Sequence, residues 1–189
     1  MTASPHIPVM LAEVLDGLSP RDGGLYLDGT FGAGGYTGAI LDAADCRVIA
    51  IDRDPDAVAA GADVVGRYDG RLTLVQGRFS EMEKLAIAAG AGKLDGVTLD
   101  LGVSSLQINQ AARGFSFAAD GPLDMRMSQS GESAADVVNS RDQDELADII
   151  FHFGDERRSR AIARAIIRAR ENAPIERTAA LADIVAKVL

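Results

Sequence analysis

The chain has 189 residues, a formal net charge of −9 and 47% apolar residues, enough for a folded core and unlike a disordered chain. One cysteine and two histidines exclude a disulfide framework and a zinc site with the usual ligand spacing. No run approaches the roughly 18 apolar residues of a membrane span, and no secretory leader pattern is present. We therefore expect a cytoplasmic protein of one domain, or one domain with a small appendage, without membrane or metal.

The first hundred residues predict strands that alternate with helices. Four short apolar runs, bounded by turn residues, occur at residues 25–27, 47–51, 72–75 and 96–99. Asp54 and Pro55 predict the start of the helix after the second strand, because aspartate is a good N-cap and proline suits the first helical position. Near-continuous apolar strands joined by helices predict a parallel sheet that is covered on both faces and binds ligands at its carboxyl edge.

The pattern changes after residue 113. Residues 114–133 are rich in glycine, serine, aspartate and methionine and predict an ordered loop. Four helices are expected beyond it, with Thr178 as the cap of the last, at residues 134–139, 143–153, 156–171 and from 178 onward. We therefore predict an α/β domain over residues 1–113 and an all-helical subdomain over residues 114–189. With only four strands predicted, the sheet is expected to be incomplete. The last helix runs to the final residue without a C-cap glycine, so the helical part is expected to be truncated as well.

A glycine-rich turn follows the first strand, with Gly32, Gly34 and Gly35 in the spacing G-x-G-G. Glycines allow a sharp turn and a close approach to a ligand, with the amides of the next helix aimed at it. The spacing departs from the dinucleotide fingerprint, whose third glycine is absent here. Without further evidence, the alternative interpretation is that the turn only connects the first strand to the next helix and binds no ligand.

Three side chains after the later strands outline a nucleoside site. Asp52 ends the second strand, where a carboxylate can accept both hydroxyls of a ribose. Helix capping is the alternative role, but Asp54 already supplies a cap and leaves Asp52 free. Phe79 follows the third strand and is a candidate for stacking on an adenine, with core packing as the alternative. Asp100 follows the fourth strand at the reacting end of such a site, with loop capping as the alternative.

Several blocks resemble one family. The blocks are residues 28–35 (DGTFGAGG), 50–55 (AIDRDP), 99–105 (LDLGVSS) and 113–127. In these blocks the chain resembles the bacterial enzymes that methylate the exocyclic amine of a cytosine in small-subunit (16S) ribosomal RNA. Residues 6–11 (HIPVML) and 154–166 fit the same family, and the blocks follow its order along the whole chain. The resemblance implies an α/β fold with a Rossmann-like, S-adenosylmethionine-dependent methyltransferase sheet, here incomplete, and an all-helical inserted subdomain.

The resemblance also implies S-adenosyl-L-methionine as the cofactor and ribosomal RNA, or the small ribosomal subunit, as the partner. Carried over position by position, it places cofactor contacts on Gly34, Gly35, Tyr36, Asp52, Phe79, Asp100 and Gln107. Two positions depart from the family's pattern: Tyr36 stands where members often have histidine, and Leu106 where a proline commonly precedes the glutamine. Family members also continue past Leu189 with a strand and a Ser-Phe-His-Ser-type motif.

For catalysis, Asp100 is the candidate acceptor for the attacking amine, with a backbone carbonyl of the following loop as the alternative. Candidates for gripping a displaced base by stacking and hydrogen bonding are Arg113, Phe115, Phe117 and Arg126. Core packing is the alternative for the two phenylalanines. The rival functions are a methyltransferase for a small molecule or protein, and a cofactor-binding fragment without activity. The sequence leaves a homodimer open.

One helical stretch is strongly basic. Between residues 155 and 171, six arginines face three acidic residues, a local excess that the net charge of the whole chain conceals. Arg160, Arg164 and Arg168 recur every four residues and form one stripe, with an apolar stripe on another side. A solvated face and phosphate contact are the two interpretations.

Overall fold

The computed structural model describes residues 8–189, so His6 and Ile7 of the family-like opening block lie outside the described residues. The chain divides into two compact units, the first ending at Leu106 and the second beginning at Gln107. This division falls before the predicted boundary at residue 113. Arg113 belongs to the second unit because its guanidinium donates to the carbonyls of Arg126 (3.1 Å) and Met127 (3.0 Å).

The first unit is an α/β structure. Its strands are β1 (Leu25–Asp28), β2 (Arg47–Asp52), β3 (Leu72–Gln76) and β4 (Gly96–Thr98). Its helices are α1 (Leu11–Leu18), α2 (Gly35–Ala43), α3 (Pro55–Ala60), α4 (Ala62–Arg67) and α5 (Met82–Ala88), and α6 (Ser105–Asn109) spans the division between the units. The four predicted strands are confirmed. Helix α1 is not among the predicted helices; Met10 at its N-cap supplies no side-chain hydrogen bond, so the usual start signal is missing.

The sheet is parallel throughout, in the order β3-β2-β1-β4. From β1 the chain builds β2 and β3 on one side and then returns to place β4 on the other. The strand order therefore reverses at β1, and open α/β sheets bind ligands at such a point, outside the carboxyl ends of β1 and β4. This is a Rossmann-like α/β arrangement, as the sequence predicts.

Both faces of the sheet are covered. Tyr26 and Val48 pack into a core cluster with residues of α2 on one face. Leu27 and Ile51 pack on the other face with Ala86 of α5. Side chains that alternate along a strand point to opposite faces, so coverage on both sides explains why the strands are almost wholly apolar.

The predicted start of α3 is confirmed. Asp54 adopts an extended conformation, and its carboxylate accepts a hydrogen bond from the amide of Asp56 (3.1 Å), with Pro55 in the first turn. The helical stretch then divides into α3 and α4 at Gly61. A Cβ on Gly61 would lie 2.5 Å from the Leu74 side chain, so close packing requires glycine at this junction.

The second unit is all-helical around its own core. Its helices are α7 (Ala134–Ser140), α8 (Gln143–Gly154), α9 (Ser159–Arg170) and α10 (Thr178–Ala186), which confirms the four predicted helices. Leu123, from the preceding loop, is buried with Val138, Leu146, Ile162 and Ile166 of the helices. Capping boxes at the starts of α7 and α8 explain why their boundaries can be predicted from local sequence.

Thr178 is not the cap of α10, contrary to the sequence-based expectation. The helix begins at Thr178, and the amide of Ala179 donates to the carboxylate of Asp120 (3.1 Å). The guanidinium of Arg177 donates to the same carboxylate (2.7 Å). The amide of Ala179 and the neighbouring guanidinium hold the pKa of Asp120 below its ordinary value. The loop between α6 and α7 therefore caps a helix from 59 positions away.

Gly121→Ala tests how tightly this loop is packed. A Cβ at position 121 would lie 1.9 Å from the carbonyl oxygen of Ala111, and this backbone atom has no freedom to rotate away. We expect a loss of about 1–3 kcal/mol or more in the free energy of unfolding, measured by urea denaturation. Gly92→Ala is the control, because its Cβ meets nothing within 4 Å, and we expect a change within about 0.5 kcal/mol. Equal midpoints for the two variants would contradict the packing.

Candidate cofactor site

Three carboxylates stand at the carboxyl ends of neighbouring strands in the first unit. Asp28 ends β1, Asp52 ends β2, and Asp100 follows β4 after one intervening residue. Parallel strands bring these ends to one edge of the sheet, around the glycine-rich turn at residues 29–35. Asp28 and Asp52 interact, because the charge of Asp52 adds to the effect of burial in raising the pKa of Asp28.

Asp28 holds the two ends of the glycine-rich turn together. Its side chain is fully buried, and its carboxylate accepts hydrogen bonds from the amide of Thr30 (3.1 Å) and the hydroxyl of Thr37 (2.7 Å). Thr37 lies in the first turn of α2, so the contact joins the turn to that helix. Burial raises the pKa of Asp28, and the charge of Asp52 adds to the effect. The sequence analysis assigns no role to Asp28, although the rule that selects Asp52, an acid at the end of a strand, applies to it equally.

Asp52 is not free, contrary to the expectation from the Asp54 cap. One carboxylate oxygen accepts from the amide of Gly32 (2.7 Å) and the other from the amide of Asp54 (2.9 Å). Asp52 therefore fixes the middle of the glycine-rich turn, where Gly32 has a φ of 54°. Each carboxylate oxygen has two lone pairs, so an acceptor position on each oxygen is left for the hydroxyls of a ribose.

Several amides of the glycine-rich turn donate to acceptors within the protein. Thr30 donates to Asp28, Gly32 to Asp52, and Gly34 to the carbonyl of Phe31 (2.7 Å). A diphosphate needs free amides and a positive potential, whereas two of these acceptors are carboxylates. The turn therefore offers fewer free amides to a diphosphate than the dinucleotide fingerprint does.

Gly34 and Gly35 are required by the packing of the turn. Gly34 has a φ of 79°, and a Cβ there would lie 2.9 Å from the ring of Phe31. A Cβ on Gly35 would lie 2.4 Å from Pro8, so the chain before α1 covers this side of the residue. Cofactor contacts by the two glycines stay a prediction.

Tyr36 joins α2 to the segment before α1. The ring is buried, and its hydroxyl donates to the carbonyl of Val9. Burial raises the pKa of Tyr36, and the charges of Asp100 and Asp28 add to the shift. The tyrosine thus lies within the field of two of the three carboxylates, while its contact with a cofactor stays a prediction.

Phe79 and Asp100 stand at the exposed rim of the crevice. Phe79 begins the short 3-10 turn after β3 and is 40% exposed. It lies beside the glycine-rich turn, because a Cβ added to Gly29 would be 3.4 Å from the Cβ of Phe79. Asp100 is exposed, and its amide donates to the hydroxyl of Thr30 (2.7 Å). The Thr30 side chain therefore ties the loop after β4 to the turn after β1. An aromatic ring and a carboxylate are thus both available to a ligand.

Gln107 and the four predicted base-binding residues belong to the second unit. Gln107 is buried in α6, so its role as a cofactor contact stays a prediction. Phe115 is half-buried, whereas Phe117 is fully exposed and presents its ring to solvent.

The two arginines among these predicted residues already have partners. Arg113 is buried and donates to two backbone carbonyls, and Arg126 forms an ion pair with Asp124. The Arg126 guanidinium holds the pKa of Asp124 below its ordinary value. Both arginines shape the loop between α6 and α7. Contact between the substrate and the four residues stays a prediction.

Within residues 8–189, no group of three histidine, cysteine, aspartate or glutamate side chains is arranged to hold a metal ion. Over the same part of the chain, the helices are too short and too polar to cross a bilayer.

The sheet order defines a Rossmann-like α/β protein, with the glycine-rich turn and the acids of the strand ends at its switch point. Residues 3–189 match the family model described as the MraW methylase family, and the chain belongs to that family.

Curated relatives carry the name ribosomal RNA small subunit methyltransferase H. The one from Parvibaculum lavamentivorans is 61% identical over 188 residues, which cover 100% of this chain and 56% of the relative. The one from Rhodospirillum rubrum is 56% identical over 186 residues, covering 98% of this chain and 57% of the relative. The chain thus spans about half the length of the curated relatives it matches. Among solved structures, the C-terminal domain of precorrin-6Y C5,15-methyltransferase from Rhodobacter capsulatus aligns over 63% of this chain and 64% of its own, with a TM-score of 0.42 and 22% identity.

Asp28→Asn tests the burial of the central carboxylate. Because burial raises the folded-state pKa of Asp28 above its ordinary 3.8, the stability of the wild type falls as the pH rises from 3.8 through the folded-state value. Asparagine does not titrate, so the stability advantage of the wild type over Asp28→Asn should shrink over the same window. Urea unfolding between about pH 4 and pH 8 measures it.

Asp63→Asn is the control for this experiment, because Asp63 is exposed on α4. A difference between the wild type and Asp28→Asn that does not change with pH would contradict a raised pKa for the buried carboxylate.

Proposed function

We propose that this chain binds S-adenosyl-L-methionine in the crevice outside β1 and β4 and serves the methylation of the exocyclic amine of a cytosine in small-subunit ribosomal RNA. The observation that carries the proposal is the set of carboxylates at the strand ends, Asp28, Asp52 and Asp100, beside a glycine-rich turn in which the amides of Thr30 and Gly32 donate to the first two. Membership of the MraW methylase family supports it, as do the names of the relatives. A ribosomal RNA substrate implies a cytoplasmic location.

The residues fit this cofactor. When bound, S-adenosylmethionine supplies a methyl group on a positively charged sulfur. The lone pairs left on Asp52 are the acceptors for the ribose hydroxyls, and the exposed ring of Phe79 is the stacking surface for the adenine. The negative potential of the three carboxylates favours a cation over a diphosphate.

Asp100 is the residue of this chain that acts on the amine. The lone pair of the amine is delocalised into the cytosine ring, which makes the nitrogen a poor nucleophile, so the main contribution is positioning. Asp100 is exposed, and its loop is held by the hydrogen bond from its amide to Thr30, which supports its carboxylate as the acceptor for the amine. With Asp52 and Phe79 holding the cofactor, its sulfonium would supply the methyl group to the nitrogen and become a neutral thioether, and the amine would release one proton to solvent. A carbonyl of the loop after Asp100 is the alternative acceptor.

The target base must leave its stack to reach the methyl group. Of the four predicted base-binding residues, Phe117 is the one that presents a fully exposed aromatic ring. We assign it the stacking role, because the guanidinium groups of Arg113 and Arg126 are held by acceptors within the loop.

Asp52→Ala tests the ribose contact. We expect the affinity for S-adenosylhomocysteine, measured by calorimetry, to fall at least about tenfold, as for a lost hydrogen bond to a charged group. Because Asp52 also holds Gly32, a second ligand is needed to separate the two roles, and a 2′-deoxyribose analogue of S-adenosylhomocysteine serves. The wild type should bind the analogue more weakly than S-adenosylhomocysteine. The Asp52→Ala variant should bind the two compounds equally. Equal binding of the two compounds to the wild type would overturn the assignment.

Asp100→Ala tests the amine contact. We expect cofactor affinity to fall less than in Asp52→Ala, because Asp100 contributes charge near the cofactor, and transfer of tritiated methyl to small ribosomal subunits to fall about a hundredfold or more. Total protein and naked RNA are assayed in parallel, and label in protein alone would refute the proposed substrate. Cofactor binding without transfer to any acceptor would assign only the cofactor-binding part of the reaction to this chain.

A further inference from the structure

The arginines of the second unit fall into two groups. Six of the ten between residues 107 and 189 have acceptors for their guanidinium groups. Arg126, Arg141 and Arg177 form ion pairs with carboxylates. Backbone carbonyls accept from the other three, which are Arg113, Arg158 and Arg170. These six arginines stabilise the fold of the unit.

The remaining four arginines share one surface. Across residues 107–189, all of which are described, no hydrogen bond or ion pair engages the guanidinium groups of Arg157, Arg160, Arg164 and Arg168, and all four are exposed. Three of them follow one face of α9 at steps of four residues, which a rise of about 1.5 Å per residue spaces about 6 Å apart. Arg157 lies just before the helix.

The opposite face of α9 anchors the helix. Ile162, Ala163 and Ile166 are buried in the core of the second unit. We call the exposed face, with Arg157, Arg160, Arg164 and Arg168, the arginine ridge. Because the other face is packed, the ridge is a rigid row of charges rather than a mobile tail.

The ridge is unfavourable for the isolated helix. Like charges four residues apart repel one another on a helix surface. Cations near a helix N-terminus also oppose the macrodipole, and α9 has no acidic residue in its first turn. An ordinary solvated face mixes charges of both signs, whereas the acids of this segment lie at its two ends, at Asp155, Glu156 and Glu171. A polyanion would relieve both penalties.

We propose that the arginine ridge binds the phosphate backbone of the RNA substrate. The inference rests on the proposed function for the class of substrate and adds the surface that holds it. Guanidinium groups match phosphate with two parallel hydrogen bonds. Contacts to phosphate fix the position and orientation of a nucleic acid and carry no sequence information. The ridge therefore holds RNA in place, while selection of the base belongs to other residues.

The triple variant Arg160→Gln/Arg164→Gln/Arg168→Gln tests the ridge. Fluorescence anisotropy measures the binding of a labelled single-stranded oligoribonucleotide and of a scrambled version of it over a range of salt concentrations. Because each phosphate contact contributes about 0.7 to the slope of log K against log salt, we expect the slope to shrink by about 2 and the affinity at low salt to fall about tenfold or more. Both RNAs should be affected equally.

Two single variants give a matched control. Arg164→Gln and Arg47→Gln each remove one exposed arginine, but Arg47 lies at the amino end of β2, away from the carboxyl edge of the sheet. Arg164→Gln should lower the slope by about 0.7 and Arg47→Gln should leave it unchanged. Equal effects of the two variants, or an unchanged slope in the triple variant, would overturn the proposal. So would binding of polyglutamate as tight as that of RNA, which would point to an acidic protein partner.

Calorimetry with S-adenosylhomocysteine on the same preparations separates this inference from the proposed function. The triple variant should bind the cofactor product as the wild type does and unfold at the same or a higher urea concentration, since like-charge repulsion is removed. Loss of RNA binding with cofactor binding intact supports the ridge. If the wild type binds S-adenosylhomocysteine but no RNA, the RNA-binding role of the arginine ridge is refuted and the cofactor site is not. If the wild type does not bind S-adenosylhomocysteine, the proposed function is refuted.

Discussion

The candidate site depends on one buried carboxylate. Asp28 is fully inaccessible at the end of β1, where burial of a charge is costly unless hydrogen-bond donors surround it. Thr30 and Thr37 supply those donors and thereby join the glycine-rich turn to α2. The hydroxyl of Thr30 then accepts from the amide of Asp100, which fixes the loop after β4. Asp28 thus holds the turn after β1 directly and the loop after β4 through Thr30.

The acids of the site act on structure and on electrostatics at once. In dinucleotide-binding sheets, free amides and a helix N-terminus attract a diphosphate at the same topological position. Here Asp28 and Asp52 accept from the amides of Thr30 and Gly32, so the same topological position carries acidic groups and fewer free amides. The fold alone therefore does not define the ligand, and the chemistry of the turn does.

What the sequence predicts correctly depends on local signals. Strands, the Asp54 cap and the starts of α7 and α8 are each encoded within a few neighbouring residues, and they are confirmed. The errors arise from contacts between distant parts of the chain. Asp120 caps α10 from 59 positions away, and Asp52 binds Gly32 from 20 positions away. Propensity and spacing contain no information on such contacts, so Thr178 was preferred as a cap and Asp52 was expected to be free.

The distribution of charge is more informative than its sum. A net charge of −9 argues against a nucleic-acid partner when it is read from the whole chain. Much of that charge is engaged within the fold: acids satisfy amides around the crevice, and six arginines of the second unit satisfy carboxylates or carbonyls. The charges that face solvent without a partner decide what a surface attracts. On α9 those charges are all positive, so an acidic protein can present a surface that favours a polyanion.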